Sequence, residues 1–97
     1  MSGLEVQQPG AQITERVESA LREAIPGADV AVRGMGGHFE IRVVSEAFAG
    51  RNRLSRQRMV LGAIAPLMTG AAAPVHAVDR VETLTPEELG EEAGKGA

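Results

Sequence analysis

The chain has 97 residues, of which 13 are acidic and 10 basic for a net charge of −3; it has no cysteine, and its only aromatic residues are Phe39 and Phe48. That length fits one small domain whose modest core is packed from aliphatic faces. Without cysteine the chain supplies no disulfide, thiolate ligand or cysteine nucleophile; the scarcity of aromatics argues against a base-stacking platform, and the acidic balance against a dedicated nucleic-acid binder.

Residues 1–10 (MSGLEVQQPG) have no periodicity and read as a flexible N-terminal tail. They lack the basic and apolar regions of a leader, and no stretch approaches the ~18 apolar residues of a membrane span, so a cytoplasmic protein is expected. Ile13, Val17, Ala20, Leu21, Ala24 and Ile25 recur at helical spacing until Pro26-Gly27, which marks a first amphipathic helix. Val30 and Val32, then Phe39, Ile41 and Val43, alternate with other residues, giving two half-buried strands joined by a glycine-rich loop from Gly34 to Gly37. Ser45 can cap a short helical turn through Phe48, which Gly50 closes.

From Arg53 to about Met68, the residues Leu54, Gln57, Val60, Leu61, Ile64, Leu67 and Met68 fall on one arc of a second long helix. Pro66 lacks an amide donor and crowds the preceding turn, so a kink or an early end is expected there. Residues 70–74 form a loop and 75–84 a third strand. In that strand His76 and Val78 have one parity and Val81 and Thr83 the other, so a bulge near Asp79-Arg80 is needed to restore register. Thr85-Pro86-Glu87-Glu88 carries the signature of a helix start, with Thr85 as cap and Glu88 three residues on. Residues 90–97 (GEEAGKGA) read as a flexible acidic C-terminal tail. The result is an α+β domain over 11–89, in the order α-β-β-α-α-β-α, with a three-stranded sheet covered by helices.

The segments GGHFEIRVVSEAFAGRNRLSRQRMV, PVHAV and TLTPEE, in that order, resemble the BolA family, over roughly residues 12–89. The resemblance implies the BolA fold, similar to a class II KH domain, and a non-enzymatic protein that pairs with a monothiol glutaredoxin. It implies a [2Fe–2S] cluster shared with that glutaredoxin and glutathione, in iron–sulfur delivery or iron homeostasis; alone, the chain would hold no cofactor and be a monomer or weak homodimer. The family's recurring ligand, the histidine of the VHA segment, corresponds to His76. The second ligand of the family lies in the loop between the first two strands. Met35 stands at the aligned position, but thioether is a poor ligand for iron–sulfur clusters, and His38 is the other candidate.

Arg51, Arg53, Arg56 and Arg58 lie within eight positions at the start of the second long helix. A helix N-terminus beside guanidinium groups attracts phosphate, so the alternative reading is a DNA-binding transcriptional regulator, a role described for some BolA proteins. No GXXG loop of the KH type accompanies the arginines, and the bland reading is a solvated helix face. For catalysis there is no constellation: Ser45 and Ser55 have structural roles, and no carboxylate pair stands out. The glycine run lacks the following helix and lysine of a P-loop.

Overall fold

The computed structural model describes residues 9–70 and 73–96. Helix α1 (Pro9–Ala24) begins inside the segment read as a tail; residues 1–8 lie outside the described part. Val17, Leu21 and Ile25, spaced by four, form its fully buried stripe, as expected where successive turns stack one side chain above the next. The chain then reverses at Gly27, whose φ of 65° suits glycine alone at little cost.

Strands β1 (Asp29–Met35) and β2 (His38–Val44) form an antiparallel hairpin, with Val30 and Val32 of β1 and Phe39, Ile41 and Val43 of β2 facing the core. Strand β3 (Ala77–Leu84) adds parallel to β2, so the sheet order is β1-β2-β3. Parallel neighbours need a crossover, and helix α2 (Arg53–Ile64) supplies it. Helix α1 packs on β1 and α2 on β3, leaving the alternate side chains of β2, among them His38, Glu40 and Arg42, on the opposite sheet face. The expected bulge is present: Phe39 pairs with Val78 but Glu40 with Arg80, so Asp79 is the extra residue.

Several expectations need correction in detail. The short helical turn after Ser45 is a 3-10 turn (Glu46–Phe48). The early end expected at Pro66 is present: helix α2 ends at Ile64, and Pro66 sits in a separate 3-10 turn (Ala65–Leu67), where its missing amide costs nothing. The third strand begins at Ala77 rather than at residue 75. Of the expected apolar arc, Val60, Ile64 and Leu67 are buried, whereas Leu54 (55% exposed) and Leu61 (39%) are not. The half-buried Met59 and Ala63 pack on the core instead. Helix α3 (Pro86–Gly96) carries regular backbone through 90–96, where composition reads as a tail.

Ser45 ties the two halves together. Its hydroxyl donates to the carbonyl of Pro26 (2.8 Å) and accepts from the amide of Ala47 (3.0 Å), and the side chain is buried. Ser45→Ala removes both bonds, each worth about 0.5–1.5 kcal/mol net, so a loss of about 1–3 kcal/mol is expected. Urea unfolding measures it, and a change below about 0.5 kcal/mol would mean that neither bond matters to stability.

Candidate functional site

The β1–β2 connection is tighter than a loose glycine-rich loop. Met35 and His38 are Cα partners, so the turn has only two central residues, Gly36 (φ 62°) and Gly37 (φ 85°). Two positive φ values are the requirement of a type I′ turn, whose twist matches that of the flanking strands. Gly34 is needed for a different reason: it pairs with Phe39, and a Cβ there would lie 2.2 Å from the ring.

The carbonyl of Gly37 then anchors the start of β3, accepting from the amides of His76 (2.9 Å) and Ala77 (3.1 Å). His76 is thereby fixed beside the hairpin turn. Its side chain is exposed and has no hydrogen-bond partner among the described residues. A Cβ on Gly37 would fall 2.7 Å from Nδ1 of His76, so the imidazole rests against bare backbone in space that only glycine leaves open.

His38 is placed differently. Phe39 turns inward, so His38 lies on the outer sheet face, where its Nδ1 is 3.3 Å from Oδ1 of Asp79. The bulge brings Asp79 there, since an unbulged strand would continue its pairing without the extra residue. Met35, the other candidate from this turn, is 84% exposed. His38 is thus engaged by Asp79 while His76 is unengaged, and no three His, Cys, Asp or Glu side chains converge on a common point among the described residues. Among the described residues, His76 and His38 are thus the two imidazoles at this end of the sheet, each able to offer one ring nitrogen to a metal.

The arginines do not form a single free patch. Arg56 is only 12% exposed. Its two terminal nitrogens donate to the two carboxylate oxygens of Glu88 (2.7 and 3.1 Å), its Nε donates to the carbonyl of Arg51 (2.9 Å), and its guanidinium lies over the Phe48 ring at 5.8 Å. Such a two-pronged pair is the strongest form of arginine–carboxylate contact. Glu88 also accepts from the amide of Thr85 (3.0 Å) while its own amide donates to the Thr85 hydroxyl (3.2 Å), which is the expected capping box. One turn later, Glu92 accepts from Arg42 (2.5 Å). Helix α3 is therefore pinned by two carboxylates on one side to arginines of α2 and β2. Arg51, Arg53 and Arg58 stay exposed, with Arg51 held by bonds to the carbonyl of Ala47 and the hydroxyl of Ser55.

The bond from Arg56, followed by that from the Thr85 amide, holds the Glu88 carboxyl down at about 2, and the same pair raises Arg56. A depressed carboxyl stabilises the folded state above its ordinary value of 4.5, and that contribution is lost as pH falls through about 2. The stability gap between wild type and Glu88→Gln is therefore expected to be full at neutral pH and to close as pH falls through this window. A gap independent of pH in urea titrations would show that the charge of Glu88 contributes nothing.

Sequence reasoning missed Gly37 as the floor beneath His76, Asp79 as the partner of His38, and the second role of Glu88. The capping motif at Thr85–Glu88 was legible, but Arg56 is 32 positions away and only the tertiary fold brings it there. Asn52, whose Oδ1 accepts from the amide of Ser55 (2.8 Å), is the cap of α2. Its type and its place before the helix were a usable signal.

The architecture is an α+β domain in which a three-stranded mixed sheet carries two helices on one face and sets a histidine at the mouth of a hairpin turn. Residues 13–88 match the family described as BolA-like protein, and the chain belongs to that family. It is 38% identical over 76 residues, covering 77% of this chain and 87% of the relative, to an uncharacterized protein of the rpoN–murA intergenic region of Acinetobacter guillouiae. It is 37% identical over 73 residues to the acid stress protein IbaG of Escherichia coli K12, covering 74% of this chain and 82% of that protein. Among solved structures, a bolA protein homologue from Coxiella burnetii superposes with a TM-score of 0.68 at 28% identity, covering 79% of this chain and 95% of that one. No helix among the described residues is long and apolar enough to cross a membrane.

Proposed function

We propose that this protein is a non-enzymatic cytoplasmic adaptor that binds a monothiol glutaredoxin and shares a [2Fe–2S] cluster with it through His76, in iron–sulfur delivery or iron homeostasis. The observation that carries the reading is the His76 imidazole, exposed, without a hydrogen-bond partner among the described residues and lying against a glycine that leaves it room. Neutral imidazole is a competent ligand for iron, and replacing thiolate by histidine raises the potential of such a cluster. A chain without cysteine needs its partner and glutathione to supply the thiolates, which is consistent with donors that do not complete a site alone. His38, at the neighbouring start of β2, is the candidate for a second contact, at the cost of its pairing with Asp79.

The DNA-binding reading has less support, because the charge of Arg56 is already neutralised by Glu88 and is mostly covered. The test of the adaptor reading is to titrate the protein into cluster-loaded monothiol glutaredoxin with glutathione and record visible absorption and circular dichroism. A new spectrum that saturates at a fixed ratio is expected. A spectrum that stays that of the glutaredoxin alone would overturn the proposal.

A further inference from the structure

A cavity of about 520 Å³ opens between the start of α2, strand β3 and the first turn of α3. Arg51 and Arg53 line it from the start of α2 and Arg80 from β3, together with Val81 and Leu84 of that strand. Among the described residues none of these three arginines is paired with a carboxylate: the ion pairs there engage Arg22, Arg33, Arg42 and Arg56. The two acids lining the same cavity are both taken, Glu82 by Arg42 (3.3 Å) and Glu88 by Arg56. The cavity therefore presents three arginines without a carboxylate partner against one carboxylate, Glu82, that shares Arg42 with Glu92, so its lining is net positive. Arg51 is already oriented by its bonds to Ala47 and Ser55, which lowers the ordering cost of binding. Arg80 enters the cavity lining from the position directly after the bulge residue Asp79.

We infer that this cavity is a binding site for a compact polyanion of the phosphate-ester class, held by Arg51, Arg53 and Arg80. Guanidinium forks match phosphate oxygens in geometry and charge, and three of them suit a ligand carrying two or three negative charges. The ligand is compact because Glu87 and Glu91 stand exposed on the adjoining helix, where they repel a phosphate backbone extending out of the cavity. Arg58, although exposed and close in sequence, is not part of the lining. The site thus shares Arg51 and Arg53 with the arginine run but takes Arg80 of β3 in place of Arg58, and it stands whether or not the cluster reading does.

The experiment uses inorganic pyrophosphate as probe, followed by amide chemical shifts and by calorimetry at low and moderate salt. Saturable shifts confined to residues 51–56 and 80–84 are expected, with affinity about tenfold lower in Arg53→Ala and in Arg80→Ala and unchanged in Arg58→Ala. Equal weakening by Arg58→Ala, or shifts that never saturate, would mean general charge attraction and overturn the site. Short duplex DNA and an oligoglutamate peptide form the other arms. Tighter binding of DNA that depends on Arg58 as well as Arg80 would make the surface a nucleic-acid interface, and tighter binding of the peptide a protein-docking surface; either result overturns the compact-ligand assignment.

Discussion

On the proposed adaptor reading, His76→Ala is expected to abolish or shift the cluster spectrum formed with a monothiol glutaredoxin, while leaving the fold in place. The side chain is exposed and makes no hydrogen bond within the described residues, so its removal costs about 0.5 kcal/mol or less. The backbone that sets its position is unaffected, because the bonds from residues 76 and 77 to the Gly37 carbonyl use main-chain amides. Stability and ligation are therefore separable at this residue. Unfolding curves that coincide with wild type, together with a lost or shifted cluster spectrum, would assign the ligand; an unchanged spectrum would remove His76 from the metal site. His38→Ala is the companion measurement, since it frees Asp79 without touching the Gly37 contact.

The largest loss of stability is expected from Phe48→Ala. Phe48 is fully buried, and truncation of such a ring costs about 3–5 kcal/mol through lost transfer energy and the cavity left behind. It also removes the surface over which the Arg56 guanidinium lies, and with it the support for the Arg56–Glu88 pair. A domain of this size has about 5–10 kcal/mol in total, so the midpoint of thermal unfolding should fall by about 15 °C or more. Phe48→Leu, which refills most of the volume, should recover the greater part. A Phe48→Ala loss below about 1.5 kcal/mol would show that the neighbouring helices collapse into the gap and that Phe48 is no keystone.

What was legible in the sequence is what depends on local period and local chemistry. The Val17-Leu21-Ile25 stripe, the alternation of β1 and β2, the capping box at Thr85 and the parity break that marks the Asp79 bulge all follow from neighbours within a few positions. The exposed Leu54 and Leu61 did not, because a wheel gives an arc but not its rotation relative to the sheet, and here the buried arc is centred on Val60 and Ile64. The polar contacts across the fold were equally invisible: Arg56 with Glu88, Arg42 with Glu92 and His38 with Asp79 join segments 32, 50 and 41 positions apart. The candidate ligand came from a motif, whereas its setting on the bare backbone of Gly37 came from geometry.

The parallel pairing of β2 with β3 also orders events in time. A hairpin with a two-residue turn closes in about 1–10 microseconds, whereas pairing β3 with β2 requires closing the crossover between Val44 and Ala77, the kind of non-local contact that is slow to form. The place beside Gly37 where His76 rests depends on that docking of β3. A chain with its hairpin formed but β3 undocked would still lack the histidine at its turn, so any role that needs His76 beside Gly37 belongs to the finished molecule and to no partly folded precursor.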